Sequence, residues 1–313
     1  NLAVEHLTGG ASHDEDSSPL TAGALTLRVT ATDFDGDTDT ANVDLGSIIR
    51  FEDDGPTINV TKGDDAAVVL ATQDAETIGG LSDNAASIAN FAGVFGLTST
   101  SGADGAATPT LSYALTLAVA AGTNSGLTIG GTAIKLYSVG GVIVGSTALS
   151  APASATDASV VFSLGVNGGG VVTLTQYQQI DHPIGTDPTA TEAPFADHSV
   201  LLANGLVNLT ASSTITDNDG DTASDSETID LGGNVRFDDH GPSVSTTGVV
   251  PTLTVDETTL LTDASASFAA NFSVNYGADG AGSTVYTLGA VSGASGLIDM
   301  ATGEAVHLRV VGG

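Results

Sequence analysis

A block of fourteen residues returns 186 residues further along the chain with eight positions identical: VDLGSIIRFEDDGP at Val43–Pro56 reappears as IDLGGNVRFDDHGP at Ile229–Pro242. Upstream of each block, TDFDGDT at Thr32–Thr38 reappears as TDNDGDT at Thr216–Thr222. A second set of segments recurs out of phase with the first. GADGA at Gly102–Ala106 matches GADGAGS from Gly277, and GTAIKLYSVGG at Gly131–Gly141 matches GEAVHLRVVGG at Gly303–Gly313. Repetition on this scale restricts the chain to one structural unit used more than once. The phase gives the order half, whole, half: residues 1–56 are the later part of one repeat, 57–242 a complete repeat, and 243–313 the first part of a third. A repeat of this length exceeds a seven-stranded immunoglobulin-type sandwich, so extra strands or a small second subdomain are expected.

The repeated unit reads as all-β. Forty Gly, no Trp, one Met and abundant Thr, Val, Ser and Asp suit short strands joined by tight turns. Leu25, Leu27 and Val29 alternate with Thr26, Arg28 and Thr30. From Asn208 to Ile215 the residues Leu209, Ala211, Ser213 and Ile215 fall on one face. Further strands are expected at Ile134–Val139, Val160–Val166, Val171–Tyr177 and Thr284–Leu288, each bounded by turn residues. Half-buried antiparallel strands of this kind stack as a β-sandwich. The one stretch with helical character is Asn84–Phe95, which is Ala-rich but short and weakened by Gly93.

With 37 Asp and Glu against 6 Lys and Arg, the formal charge is −31. A hydrophobic content of 41% is too high for a disordered acidic tail, so the chain folds despite its self-repulsion. Such a field repels phosphate backbones and anionic headgroups, disfavouring nucleic acid and membrane surfaces as partners and favouring cations. The chain has no Cys, which removes disulfides and thiolate sites but leaves the compartment open. There is no run of eighteen apolar residues, and Asn1 opens no basic-then-apolar signal pattern, so the sequence reads as a soluble segment.

The acidic residues are concentrated where chemistry needs them. Asp33, Asp35 and Asp37, and again Asp217, Asp219 and Asp221, lie between alternating strands at an expected hairpin tip, with Gly36 or Gly220 supplying the unusual backbone angle. Three carboxylates in five residues repel one another, and a hard divalent cation relieves this. Ca²⁺ is favoured because it accepts six to eight oxygen ligands in flexible geometry. D-x-D-G-D lacks the terminal Glu of an EF-hand, so other segments must complete the ligand set. The candidates are Asp53 and Asp54, Asp238 and Asp239, and Asp256 with Glu257, all near repeat junctions. An isolated DxDGD is often a solvated turn; its return in the same context argues for a cation.

These residues resemble those of a family: the tandem immunoglobulin-like or cadherin-like repeats of bacterial type I-secreted, RTX-type giant adhesins. The resemblance rests on TDxDGDT, on the [VI]DLG…RF[ED]D[DH]GP junctions, on LTVDET at Leu253–Thr258 and on YGADGAGSTVYTLG at Tyr276–Gly289. It implies secretion to the bacterial cell surface, folding on meeting extracellular Ca²⁺, and service as the stalk or spacer of an adhesin, filament or biofilm protein whose other regions meet host or matrix. His240 departs from the pattern where the first junction has Asp54, and ATQDAET at Ala71–Thr77 matches LTVDET only loosely. The glycine-rich nonapeptide array of the secretion end does not occur in the sequence.

Nothing in the chain reads as an enzyme. There is no GxSxG, HExxH or Walker loop, and the six His do not fall at metal-ligand spacing. His6 and His182 occupy matching places in the repeat, which reads as a structural role. A module gripping a glycan or protein is the competing class, as is a spacer in a secreted toxin or hydrolase. Aromatic residues make up only 4% of the chain, which favours the stalk over the binder. Gly55-Pro56 and Gly241-Pro242 stiffen the junctions, so Ca²⁺ bridging is expected to give a semi-rigid rod. The two partial repeats lack the equivalents of 142–176 and should expose strand edges, to be covered by neighbouring repeats or by copies of the same protein placed end to end.

Overall fold

The computed structural model describes residues 4, 17–77, 85–103, 105–182, 198–218, 220–248, 250–259, 261–278, 280–288 and 293–308. Among these, every regular element is a strand or a short 3-10 turn, and no helix is long and apolar enough to cross a membrane. The first stretch holds β1 (Ser17–Pro19), β2 (Thr26–Thr32), β3 (Thr38–Asp44) and β4 (Arg50–Glu52). The middle stretch begins with β5 (Thr57–Lys62), β6 (Leu70–Gln73), β7 (Ala85–Asn90), β8 (Phe95–Thr100) and β9 (Ser112–Leu117). It continues with β10 (Asn124–Ile129), β11 (Thr132–Val139), β12 (Val142–Ser146), β13 (Val160–Val166) and β14 (Val171–Gln176). It ends with β15 (Ser199–Leu201), β16 (Val207–Thr216), β17 (Thr222–Asp230) and β18 (Val235–Asp238). The last stretch holds β19 (Ser243–Thr246), β20 (Phe272–Asn275), β21 (Gly293–Ile298) and β22 (Ala305–Leu308).

Antiparallel sheets dominate, as a β-sandwich requires. One sheet has the order β10-β11-β12-β13-β14-β7, and a second the order β17-β16-β9. The two meet through β9, which packs on β11, β12 and β13. Alternation along β16 places Leu209, Ala211, Ser213 and Ile215 inward, as its sequence predicts. A third sheet, β15-β18-β6, contains a parallel pair: β18 runs alongside β6, with Val235 opposite Leu70 and Asp238 opposite Gln73. This pair joins the beginning of the middle stretch to its end. Phe162 of β13 meets Phe237 of β18 at a ring separation of 5.1 Å, linking two sheets. One apolar core runs from Val60 to Phe237, and a small second cluster of Tyr137, Val144 and Val160 lies on the other face of the large sheet. The length of the repeat is thus taken up by extra strands around one core.

Two sequence expectations are corrected. The helix expected at Asn84–Phe95 does not form over its described residues, 85–95: β7 pairs with β14 along six residues, followed by a 3-10 turn at Ala92–Val94, and Asn84 lies outside the described residues. Ala favours a helix, but a segment this short cannot hold one alone and gains more from ladder hydrogen bonds at a sheet edge. Thr284–Leu288 is described but forms no strand. Its counterpart by sequence, β9, takes its strand conformation by pairing with β16, and no strand lies beside 284–288 among the described residues.

Several elements of the middle stretch recur in the flanking ones. β2 and β3 form the same hairpin as β16 and β17, and β19 pairs with β20 as β5 pairs with β8. The bulged pair β21–β22 copies β10–β11, down to the Ser295 hydroxyl on the Val306 carbonyl, as Ser125 bonds to Ile134. Burial differs sharply. Leu27 is 53% exposed where Leu209 is fully buried, and Leu297 is 66% exposed where Leu127 is 4%.

Candidate functional site

The two acidic turns share one backbone solution. Between β2 and β3, the Asp33 N–H donates to the Asp37 carbonyl, and Asp33 Oδ1 accepts from Gly36 N at 3.0 Å and Asp37 N at 2.8 Å. Between β16 and β17, Asp217 N–H donates to the Asp221 carbonyl, and Asp217 Oδ1 accepts from Gly220 N at 3.0 Å and Asp221 N at 2.8 Å. Gly36 at φ 100° and Gly220 at φ 104° adopt the left-handed backbone that closes the turn. The first Asp of each motif therefore builds the loop. Asp33, Asp35 and Asp37 each bring a carboxylate oxygen within 4.8 Å of the others. A hydrogen bond shared with the Asp35 carboxyl, then the Asp37 N–H, holds the Asp33 carboxyl below the usual range. Asp219 lies outside the described residues.

The second turn is covered and the first is not. Asp217 and Asp221 are buried, while Asp33, Asp35 and Asp37 are exposed. The cover is the other recurring motif, GADGA. Asn218 N–H donates to the Gly105 carbonyl at 3.0 Å, and Ala106 bridges Asp217. The same turn clasps the junction between stretches, where Ala103 N–H reaches the Asp54 carbonyl at 3.3 Å. A Cβ on Gly102 would lie 1.9 Å from that oxygen, so no other residue fits. At the next junction Ala278 N–H reaches the His240 carbonyl at 3.2 Å, and Gly277 is equally constrained. At the first junction Asp53 is buried, its Oδ1 receiving the Asp54 N–H. Segments scattered over 169 residues of sequence, Asp53–Asp54, Gly102–Ala106 and Asp217–Asp221, thus converge on one junction.

The remaining candidates go elsewhere. Asp238 is ion-paired with Arg236, Oδ1 to Nε at 2.9 Å. Asp239 is buried beside His182 and Asp74. Asp256 caps its own turn, accepting from the Thr258 N–H and hydroxyl, with Glu257 exposed in that turn. The backbone solution of GADGA was legible only as a recurrence: its glycines and their spacing were visible, but not the partner they meet.

An acidic, cysteine-free, all-β repeat protein with paired carboxylate turns is the class these features define. A family model described as "Domain of unknown function (DUF5801)" matches residues 1–46, 70–232 and 252–313, and the chain belongs to that family. The two intervening stretches contain the Gly55-Pro56 and Gly241-Pro242 junctions. No curated protein and no solved structure matches the chain.

Proposed function

We propose that this chain is a calcium-stabilised structural repeat region, a stalk or spacer, of a secreted bacterial surface adhesin or biofilm protein. The observation that carries the reading is the recurrence of one Asp-built turn, whose second copy is clasped by the GADGA turn that also grips the module junction. The donor types suit the ion: Asp33, Asp35 and Asp37 bring carboxylate oxygens within 4.8 Å of one another on a bent loop, and Asp217 and Asp221 flank the matching turn, whose sequence adds Asp219, outside the described residues. Ca²⁺ there would supply charge neutralisation, while the chain's own turn and junction residues set the geometry that it rigidifies.

Neighbouring repeats, or copies of the same protein end to end, are the partners in this reading. In the middle stretch Leu209 of β16 lies opposite Leu115, and Ala211 opposite Tyr113. The corresponding strand β2 pairs only with β3 among the described residues. The matching segment 284–288 lines an apolar groove of about 690 Å³ with Phe268, Phe272 and Val274. Tyr286 already stands against Phe272 at 5.9 Å, as Tyr113 stands against Phe95 at 6.0 Å. A β2-like strand fits that groove as β16 fits the middle stretch.

Thermal melting and limited proteolysis with Ca²⁺ and with EDTA test the reading. Each site adds about 2.7 kcal/mol when free Ca²⁺ is a hundredfold above Kd. The expected outcome is a large loss of melting temperature and protease resistance in EDTA, reproduced in Ca²⁺ by combined Asp→Asn changes at 217, 219 and 221. Identical behaviour in both buffers would overturn it.

A further inference from the structure

A second, chemically different cluster lies away from the acidic turns. The parallel register of β6 and β18 ends with Gln73 beside Asp238, so the next residues, Asp74 and Asp239, leave the sheet side by side. His182, six residues beyond the end of β14, reaches the same point. Asp74 is fully buried and accepts hydrogen bonds from the Gln176 side-chain amide and from Ile180 N at 3.3 Å. The His182 side chain is 3% exposed, and its Nε2 lies 3.0 Å from the Phe237 carbonyl oxygen. A carbonyl can only accept, so Nε2 carries the proton and the Nδ1 lone pair points the other way.

That lone pair faces two carboxylates. Nδ1 stands 3.6 Å from Asp74 Oδ2 and 3.7 Å from Asp239 Oδ1, beyond hydrogen-bonding distance of either. His182 Nδ1, Asp239 Oδ1 and Gln176 Oε1 are all buried without a hydrogen-bond partner. The Nδ1 lone pair and the carboxylate oxygens of Asp74 and Asp239 lie within 4.8 Å of one another and repel, and a proton on Nδ1 would reach neither oxygen. A metal ion would reach all of them. Two metal–ligand bonds of about 2.1 Å meeting at a tetrahedral angle of about 110° hold their donors about 3.4 Å apart, close to the 3.6 and 3.7 Å seen here. The Nε2–H bond to a main-chain carbonyl is also the outer contact that orients metal-ligating histidines.

We propose that Asp74, His182 and Asp239 bind one divalent first-row transition ion, with Zn²⁺ as the best match, at a site distinct in chemistry from the acidic turns. Imidazole selects zinc and its neighbours, whereas Ca²⁺ takes oxygen donors alone. The site ties the start of the middle stretch, through Asp74, to its end, through Asp239. The repeat carries the same residue types at the matching positions: Asp53 stands where Asp239 does, Asp256 of VDET where Asp74 of QDAET does, and His6 where His182 does. His6 lies outside the described residues.

Calorimetric titration of the metal-free full chain with Zn²⁺, in buffer holding millimolar Ca²⁺, reads the site directly. One saturable site is expected, weakened about tenfold or more by Asp239→Asn and abolished by His182→Gln. Should either variant fail to fold, Co²⁺ loading of the wild-type chain gives an independent reading by NMR. A single exchangeable histidine ring N–H, shielded from solvent and shifted by the metal, is then expected. No Zn²⁺ binding, binding unchanged in both variants, or no such shifted proton would each overturn the proposal. EDTA sensitivity restored by Ca²⁺ alone bears on the acidic turns and leaves this outcome separate.

Discussion

Gly145 shows how tightly single residues constrain this core. It sits in β12 opposite Phe162, and a Cβ there would lie 2.1 Å from the Phe162 ring, which is itself held against Phe237. Gly145→Ala must therefore displace a fully buried ring, and a loss of about 1–3 kcal/mol is expected from overpacking. Gly165→Ala, in the next strand and with open space around it, should stay within about 0.5 kcal/mol. Urea midpoints of the two variants compare them directly. Asp157 offers a charge-dependent case. The Ser159 N–H, and then the Ser159 hydroxyl, hold its carboxyl below the usual range despite some desolvation. A depressed folded pKa means its contribution is complete above the unfolded value near 3.8 and is lost as pH falls through the lower folded value. The melting difference between wild type and Asp157→Asn should accordingly be present at pH 6 and vanish toward pH 2.

Strands obey their sequence where a partner is available and disobey it where none is. The alternation in β16 and β14, and the continuous apolar run of β13, were legible because each is held between two neighbours and against the core. Asn84–Phe95 was misread because the partner that makes it an edge strand, β14, is about eighty residues away. Thr284–Leu288 carries the pattern of β9 but not its partner, so periodicity alone overstated it. The site was legible in part for the same reason: D-x-D-G-D announces its turn locally, whereas the Asp74–His182–Asp239 cluster needs a parallel strand pair that no local pattern encodes. The repeat supplies its own control at this scale. Leu209→Ala should cost about 2–5 kcal/mol, while Leu27→Ala, at the matching but exposed position, should cost little in the isolated chain at low concentration. If β2 is covered by another copy, the Leu27→Ala deficit should grow with protein concentration, which sedimentation and melting at several concentrations would reveal.

At the scale of the whole molecule, the middle stretch is closed by strands that are far apart in sequence. β6 lies near its start and β18 near its end, and four residue pairs join them in parallel. A pull on the chain beyond both ends would draw β6 by its N-terminal end and β18 by its C-terminal end, in opposite directions. Parallel neighbours loaded in that way slide along each other, so their hydrogen bonds bear the force together; a hairpin pulled at its two open ends would surrender them one at a time. The middle stretch should therefore yield abruptly and at high force in single-molecule stretching. Replacing Thr72 with Pro, which blocks a central N–H of β6, should lower that force more than an equal loss of equilibrium stability elsewhere in the core. The strand pair that gathers Asp74 and Asp239 would then also be the part of the middle stretch that bears the load when the chain is pulled.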